Sequence, residues 1–511
     1  MKIQFKLYSI SLLLSLCSLS SLKAQENIDY IENWNLKQTY EYLLKNRVWI
    51  KEGIKDNFSF LELDGKYEKG NWMEAQDANQ IRQLTFKTEG KHDLGNFSVW
   101  GNFQYSRTME DSVQLRHQSR INPDAPLYFG SLRKNYYERD LYKINGVVRY
   151  DFADGAMPLA VDFDYRVGNH FSNNDPRARI ADYQFNSKFF VGRKFNQFDI
   201  YLSGLYGYGR ERVGVGYKND QHMNNTSDPL YVNWLMNGFG RTNQQIRDMN
   251  YNDDMDRYGI SLLASTSINP HHKLNGKVEY IKETQLFKFF DSSPETFTRL
   301  NKYNRQSISA DILWNTTFTN PNRNSSFRLQ LENIQGDDFN YSISSNNYVY
   351  LENKAILETV QGWNKWQAKA AITYLQRDSE DGSMGINLAY THVLPSLNLG
   401  YTFDLAEKHR LQPSIGFSYR KVLNELFKYP AISPGIFTDV IMLKNYNFFS
   451  TAASQFSFAL DYQFRKSSST AFHIGFHSDY YKRAAQNTAN PYYQFIGKDR
   501  LNSRLTFSVY F

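Results

Sequence analysis

The last eleven residues of the chain alternate between apolar and polar side chains. One parity carries Leu501, Leu505, Phe507, Val509 and Phe511, and the other carries Asn502, Arg504, Thr506 and Ser508. Successive side chains of a β-strand point to opposite faces, so this pattern predicts a strand with one apolar and one polar face.

The same alternation recurs upstream, most clearly over residues 159–167, 397–405 and 456–464. In the last of these segments, Gln455, Ser457, Asp461 and Gln463 share the polar parity. A charge on a lipid-facing position near the bilayer midplane costs about 2–4 kcal/mol, so a membrane barrel keeps its two parities apart. The segments therefore favour strands between lipid and a watery interior.

Short polar connections alternate with longer ones along the chain. The short connections cover 92–96, 154–157, 195–198, 269–273, 320–324, 362–366, 404–409 and 466–470. Together with nine longer connections they predict eighteen strands, or sixteen or fourteen if residues 346–361 form a loop. We therefore expect an all-β fold: a transmembrane antiparallel β-barrel of the outer-membrane type. Its turns would be periplasmic and its long loops external, with both barrel ends in the periplasm.

The N-terminus predicts export. A basic start, an apolar stretch from Leu7 to Leu22 and the small residue Ala24 indicate a signal peptide over residues 1–24, cut before Gln25. The sole cysteine, Cys17, lies inside it. A lipoprotein site at Cys17 is the less favoured alternative, because Leu16 precedes the cysteine. The expected mature chain then excludes disulfides, thiol catalysis and cysteine metal ligands.

Composition agrees with a barrel. The mean hydropathy is −0.60, yet 16% of residues are aromatic, and no second apolar run is long enough for a spanning helix. Removing Lys2, Lys6 and Lys23 with the signal peptide lowers the formal net charge from +7 by three, to +4. No basic run of the nucleic-acid-binding type is present. A secreted sandwich or propeller is the alternative, although no blade-like repeat period is seen.

Residues 25–56 precede the first expected strand at about residue 57, where a barrel domain of residues 57–511 would begin. This N-terminal segment contains Trp34, Tyr42, Val48 and Trp49, which make it too apolar for a free tail. It is either a short plug in the barrel mouth, a periplasmic contact, or a segment packed under the lumen, and we favour the last.

The long loops are expected at 111–139, 213–255 and 423–446, and they are rich in apolar and aromatic side chains. Such loops fold inward as a lid, cover one another, or bind a partner. Candidate external-loop contacts are Asp175, Arg177, Arg179, Tyr231, Trp234, Phe239, Phe427 and Phe437.

The sequence gives only a weak indication of a catalytic site. His473, His477 and Asp479 share the polar parity of one strand and are expected to face the lumen. Neighbours on one face lie about 7 Å apart, too far for a direct base–orienter hydrogen bond along one strand. We therefore interpret them as lumen polar residues. The His271–His272 pair is a weak metal motif, and the glycines at 207 and 209 lack the rest of a dinucleotide site. We expect no catalytic, cofactor-binding or metal-binding residues.

Several segments together resemble a known family. They are the loop Asn174–Arg179 after the strand Val161–Arg166, the stretch Lys91–Gly101 followed by Phe103 and Tyr105, and Tyr206–Arg210. The chain resembles an uncharacterised, single-barrel outer-membrane family of Bacteroidota bacteria over nearly its whole expected mature length. The resemblance implies a barrel in the cell outer membrane and carries no known chemistry, cofactor or catalytic residue. It also implies production alongside energy-coupled nutrient receptors.

These observations predict a non-enzymatic role in nutrient uptake or surface binding, either as a channel or as an accessory of a larger transporter. Expected partners are outer-membrane lipid and lipopolysaccharide, the barrel assembly machinery, and an energy-coupled receptor or surface lipoprotein. The alternatives are an outer-membrane surface hydrolase of the lipase or protease type, or a structural envelope protein.

Overall fold

A computed structural model describes residues 33–119, 124–224, 228–245, 249–269, 271–290, 297–318, 323–430, 437–467, 470–486, 488–490 and 492–511. The expected signal peptide over residues 1–24 lies outside the described residues. The same is true of residues 25–32 and of parts of three predicted turns, at 270, 319–322 and 468–469.

The described chain is almost entirely strand. The strands are β1 Phe58–Gly70, β2 Gln80–Leu94, β3 Phe97–Val113, β4 Leu127–Gly130, β5 Asn135–Phe152, β6 Met157–Ser172, β7 Arg177–Lys194, β8 Phe198–Gly216, β9 Asn233–Asn237, β10 Thr242–Gln245, β11 Met249–Asn269, β12 His272–Phe290, β13 Phe297–Thr317, β14 Arg323–Asn340, β15 Ser345–Trp363, β16 Trp366–Asp381, β17 Ile386–Tyr401, β18 Phe403–Ala406, β19 His409–Lys428, β20 Ala453–Arg465, β21 Ala471–Arg483 and β22 Asp499–Tyr510.

The helices are short. They are α1 Trp34–Lys45, α2 Ile50–Gly53, α3 Asp220–Asn224 and α4 Leu443–Phe449, with 3-10 turns at Arg47–Trp49, Ala153–Gly155 and Pro229–Tyr231 and a π-helix at Thr438–Met442. In the described part of the chain, no helix has both the length and the apolar character needed to cross a membrane.

Eighteen antiparallel strands form one closed barrel, as predicted. Each strand pairs with its neighbour in the chain, β17 and β18 together form one strand interrupted at Thr402, and β4, β9 and β10 form a separate small sheet. The last strand closes the ring against β1, with Tyr510 opposite Phe60 and Leu501 opposite Lys69. Residues 346–361, the doubtful segment, belong to β15.

The two rims of the barrel differ. All eight short connections lie at one rim, which we call the turn end, and the long connections lie at the other, which we call the loop end. Ser59 and Phe511 exchange backbone hydrogen bonds of 2.9 and 3.2 Å. Both ends of the barrel therefore lie at the turn end.

The outward parity forms an apolar belt. Leu202 and Leu262, paired across β8 and β11, are about half exposed, as are Leu505 and Phe507 of the closing strand. Aromatic rings border this belt near both rims, with Phe97 against Tyr150 at the turn end and Tyr105 against Tyr142 nearer the loop end. Eight residues of a tilted strand span about 20 Å, close to the height expected of a lipid-facing band.

Two of the three long loops are shorter than predicted, and the third begins six residues later, because paired strands continue beyond the apolar belt. Barrel strands of up to 21 residues exceed the roughly 9–11 needed to cross a bilayer. The three apolar loops therefore cover 114–134, 217–248 and 429–452. Arg177 and Arg179 consequently lie in β7, and Phe427 lies in β19, rather than in loops as predicted.

The belt predicts a depth-dependent cost for one substitution. We expect Leu202→Arg to lower the free energy of unfolding by about 2–4 kcal/mol, because an arginine near the midplane of the belt must be solvated by lipid. The matched control, Leu405→Arg at the turn rim, should cost about 0–1 kcal/mol. Urea titrations of the barrel folded into phospholipid vesicles measure both values. Equal costs at the two depths would contradict this placement of the belt.

Candidate functional site

The N-terminal segment enters the barrel at the turn end. The Asn33 side chain accepts hydrogen bonds from the backbone N–H groups of Asn35 and Leu36, at 2.9 and 3.3 Å, and so starts α1. The backbone N–H of Trp34 donates to the side-chain oxygen of Gln367 in the wall at 2.6 Å. A Cβ atom on Gly400 would come within 2.7 Å of the Trp34 ring, so the missing side chain lets the helix reach the wall.

Apolar packing fixes this segment inside the lumen. Tyr42 and Trp49 stack with ring centroids 5.9 Å apart, and the Trp49 ring meets Tyr201 edge-on at 6.1 Å. Inward-facing wall residues complete the cluster, namely Trp100, Val147, Ala160, Phe190, Tyr201, Leu263 and Leu313. Residues 34–54, which we call the N-terminal segment, therefore occupy the turn end of the lumen.

Charged contacts hold the same segment to the wall. Arg47 pairs with Asp162 at 2.8 Å and also with Asp164, and Lys51 pairs with Asp151 at 2.6 Å. The fully buried Arg149 of the wall donates to Glu52 at 2.6 Å and to the Val48 carbonyl at 2.8 Å. Burial acts to raise the pKa of Glu52, but Arg149 and Lys194 outweigh it and hold that pKa below its ordinary value.

The loop end is closed by a second part of the chain. Strands β4, β9 and β10 form a three-stranded sheet, which we call the lid. Phe129 of the lid is fully buried and packs against Tyr251 and Phe289 of the wall, with centroids 5.2 and 6.2 Å away. Inward residues at the loop end of several barrel strands share this cluster, so the lid lies within the barrel mouth.

Polar contacts tie the lid and its loops to the wall. Asp124 accepts from the Tyr303 hydroxyl at 2.9 Å and pairs with Arg305 at 3.1 Å. Asn237 donates to Asn340 and accepts from Asn301, both at 3.2 Å. No strand of the lid joins the barrel sheet, so the lid is held to the wall by such contacts and by packing.

One lid-loop histidine is buried as a neutral group. His117 is 1% exposed, its Nδ1 hydrogen-bonds with the Tyr137 hydroxyl, and its Nε2 is buried with no hydrogen-bond partner. Burial, assisted by the nearby Arg139 charge, lowers the pKa of His117 to about 3. A proton on His117 would therefore be costly while the loop stays packed.

The candidate loop residues divide into two groups. Asp175 accepts from the Arg177 and His222 side chains at 2.9 and 3.1 Å, and His222 stacks on Tyr231 with centroids 3.8 Å apart. Backbone N–H groups of residues 218 and 219 also donate to Asp175, and they outweigh its burial and keep its pKa low. Arg179 is exposed on the outward parity of β7 and joins neither group.

The second group lies around the lid. Phe239 meets Phe437 edge-on at 5.9 Å, Phe427 and Phe437 are buried in one cluster, and Trp234 packs against that cluster. These predicted residues thus face other loops, as expected for loops that cover one another and the lumen.

Between the N-terminal segment and the opposite wall lies a cavity of about 660 Å³. The wall is formed by strands β16 to β22 together with β1 and β2, and α1 forms the other side. Its lining is aromatic and charged, with Trp34, Tyr40 and Phe60 beside carboxylates, lysines and the predicted lumen residues His473, His477 and Asp479. We regard this cavity as the candidate functional site.

The two histidines share one carboxylate. His473 and His477 place Nε2 at 3.0 and 3.1 Å from the same oxygen of Asp461 on β20. Asp461 lies directly opposite Gly475, midway between the two histidines. A Cβ on Gly475 would lie 2.8 Å from that oxygen, so only glycine leaves room for the carboxylate.

This arrangement provides charge and hydrogen bonds rather than a nucleophile. The Ser457 hydroxyl, next along the wall, donates to Asp479 at 2.6 Å and so is directed to a carboxylate instead of a histidine base. Among the described residues, no group of three or more His, Cys, Asp or Glu side chains is placed to hold a metal ion. The site is suited to binding a polar solute.

Asp461, Arg504 and the residues of α1 that line the cavity were not among the site residues predicted from the sequence. Asp461 was on the polar parity of its strand, and counting outward from the middle of turn 466–470 places it opposite Gly475. That register was available from the sequence. The position of α1 was not, because its partners lie about 50 to more than 300 residues away in the chain.

Solved barrels are similar in fold. The ferripyoverdine receptor of Pseudomonas aeruginosa shares 10% identity over 88% of this chain and 72% of its own, with a TM-score of 0.43. The siderophore receptor PiuA of Acinetobacter baumannii shares 11% identity over 88% of this chain and 81% of its own, with a TM-score of 0.38. The copper transporter OprC shares 8% identity over 88% of this chain and 80% of its own, with a TM-score of 0.41. At these values the likeness concerns the barrel fold alone.

Comparison with curated proteins found no match. A family model matches residues 48–511, from the middle of the N-terminal segment to the end of the closing strand. The chain therefore belongs to the family of unknown function DUF6850.

Proposed function

We propose that this protein is an outer-membrane barrel that takes up or binds a small polar solute without converting it chemically. One observation carries the proposal. Parts of the chain that lie outside the barrel sheet occupy both ends of the lumen, and a cavity with an aromatic and charged lining remains between one of them and the wall. A barrel of this strand number has a lumen wide enough for a channel or a plug.

The proposed orientation follows from the two rims. Short turns face the periplasm and long loops face outward in outer-membrane barrels. The N-terminal segment is then a periplasmic plug, and the lid faces the outside. The apolar belt would contact outer-membrane lipid and lipopolysaccharide after insertion by the barrel assembly machinery.

Both closures are suited to reversible movement. The N-terminal segment is held by ion pairs, by hydrogen bonds and by the packing of Tyr42 and Trp49, without a strand that joins the barrel sheet. The polar contacts each contribute about 0.5–1.5 kcal/mol. The barrel strands, in contrast, share continuous backbone ladders. The segment can therefore leave while the barrel stays intact.

Two forms of the proposal differ in the partner. As a channel, the barrel would pass the solute by itself when its closures move. As an accessory, it would act with an energy-coupled receptor or a surface lipoprotein, which would contact the outer loops or draw on the N-terminal segment.

The first test weakens the plug. The double variant Arg47→Ala, Lys51→Ala removes the pairs with Asp162, Asp164 and Asp151, so the open population should rise about tenfold. Swelling of liposomes in small sugars measures that rise. Lys188→Ala, which removes a pair between two wall strands, is the matched control and should swell at the wild-type rate. Equal rates for the two variants would contradict a plug.

A cross-link in the same background separates plug release from damage to the barrel. The Ser326 hydroxyl of the wall donates to the Asn35 side chain at 2.7 Å. We expect Asn35→Cys with Ser326→Cys, once oxidised, to return swelling to the wild-type rate, and reduction to reverse this. Each single cysteine serves as a control. Swelling that persists in the oxidised pair would mean that solute passes elsewhere.

The second test uses pH at the lid. His117 has a folded-state pKa of about 3 and an ordinary value of about 6.5 when the loop is unpacked. Its contribution to loop packing is therefore complete above about pH 6.5 and declines as pH falls toward 3. Hydrogen exchange, corrected for its intrinsic pH dependence, should show the loop over residues 114–119 losing protection between about pH 6.5 and 4. His117→Gln should flatten that pH dependence, and an unchanged slope would exclude His117 as the cause.

The third test identifies the form of the proposal. Gentle affinity purification from native outer membranes, followed by identification of co-purifying proteins, should recover a stoichiometric receptor or lipoprotein if the barrel is an accessory. Recovery of the barrel alone would favour the channel. A broad screen for hydrolase activity on the same sample checks the non-enzymatic part of the proposal.

A further inference from the structure

We propose that the lumen cavity takes a cationic solute, such as an organic amine, and that its occupancy falls when His473 and His477 gain protons. This inference rests on the proposed function and names the class of solute that the cavity would take. It is carried by the balance of charge around the cavity, by its aromatic lining and by the placement of the two histidines.

The charges that line the cavity appear equal only until their partners are counted. Glu41, Glu62, Asp461 and Asp479 are the lining acids, and Lys37, Lys87, Lys369 and Arg504 are the lining bases. Three of the bases already pair with carboxylates that do not line the cavity. Lys87 pairs with Glu89 at 2.8 Å, Lys369 pairs with Glu358 at 2.6 Å, and Arg504 pairs with Asp64.

Of the lining acids, Glu62 lies 3.9 Å from Arg504, whereas Asp461 accepts from His473 and His477 and has no lysine or arginine partner among the described residues. Among the described residues, Asp479 accepts from two neutral donors, the Ser457 hydroxyl at 2.6 Å and the Gln455 amide at 3.0 Å. Its charge is thus available to a solute, and a cation in a partly desolvated cavity is attracted by such a charge.

The aromatic lining favours the same class of solute. Trp34, Tyr40, Phe58, Phe60 and Tyr510 line the cavity. The Lys87 ammonium lies 4.8 Å from the centroid of the Phe60 ring, so a cation already uses one ring face in this lumen. Ring faces attract ammonium groups, most strongly where water is excluded. Carboxylates beside aromatic faces suit an organic amine better than a sugar acid or a phosphate.

The two histidines make this charge depend on pH. Imidazole is the side chain that ordinarily changes charge between about pH 5 and 8. Two protons would offset the charges of Asp461 and Asp479, the two lining carboxylates that have no lysine or arginine partner among the described residues. The charged groups that line the cavity around the pair are Asp461 on β20, Asp479 on β21, Arg504 on β22, Glu62 on β1, Lys87 on β2, Lys369 on β16, and Lys37 and Glu41 on α1, with Asp64 of β1 behind Arg504.

The same protons affect the nearest binding group. Both imidazoles already direct Nε2 to Asp461, so a protonated pair would neutralise that carboxylate more fully. Arg504 lies directly opposite His477 on the same face, and a positive His477 would add to its repulsion of a cation. A bound amine is therefore expected to leave as the pair is protonated.

Calorimetric titration of the full chain in detergent tests the inference. The probes are 1,4-diaminobutane and succinate, which have the same number of carbon atoms and opposite charges. We expect the diamine to bind at about pH 8 and to bind about tenfold more weakly at about pH 5.5, with no succinate binding at the higher pH. Preference for succinate, or no diamine binding at millimolar concentration, would overturn the proposal.

Three variants locate the effect. Asp479→Asn should weaken diamine binding about tenfold at both pH values, because it removes an uncompensated charge. His473→Gln with His477→Gln should remove most of the pH dependence. His409→Gln is the matched control, since His409 bonds to the Tyr462 hydroxyl at the turn end and does not line the cavity. An unaltered pH dependence in the double histidine variant would overturn the role of the pair.

Binding and passage can fail separately. Calorimetry measures binding without passage through the barrel. Diamine binding by a barrel that stays impermeable in all plug variants would therefore support this inference and contradict the channel. Passage of solutes without diamine binding would contradict this inference and support the channel. Strand content by circular dichroism confirms that each variant is folded before either result is used.

Discussion

A closed backbone ladder is the constraint on which the rest of this structure depends. In lipid no water can satisfy an exposed N–H or C=O group, so a sheet spans a membrane only when its first and last strands pair. Here β22 pairs with β1 over eleven residues, from Phe60 opposite Tyr510 to Gly70 opposite Arg500. That pairing fixes the parity of every strand, because a slip of one residue would exchange the apolar belt with the charged lumen.

A barrel closed at eighteen strands has a lumen too wide for the side chains of its wall alone to fill. The chain fills it with material from both rims. The N-terminal segment packs Tyr42 and Trp49 against the wall at the turn end, and the lid packs Phe129 at the loop end. Neither closure adds a strand to the barrel, so each remains independent of the ladder that holds the barrel together.

The parts of this structure that depend on local pattern could be predicted, and those that depend on distant contacts could not. Strand alternation and the eight turns gave the eighteen strands and the inward direction of His473 and His477. Turn 466–470 also contained the register that brings Asp461 opposite Gly475. In contrast, the Tyr40–Glu89 and Gln38–Glu358 contacts of α1 join distant segments. Strand ends beyond the belt were also misassigned, since pairing rather than lipid determines where β7 and β19 end.

The charged groups that line the lumen cavity differ in whether they have a partner of opposite charge. Three of the four lysines and arginines that line the cavity pair with carboxylates of the same or a neighbouring strand, whereas Asp479 accepts from two neutral donors among the described residues. Pairing of cations serves the wall, because an unpaired lysine between strands would repel its neighbours. Asp479 lies beside two histidines that share Asp461, and its lack of a cationic partner among the described residues is the basis of our proposal that the cavity binds a cation. The cavity therefore differs from a merely solvated barrel interior in having charge left over after its own structure is satisfied.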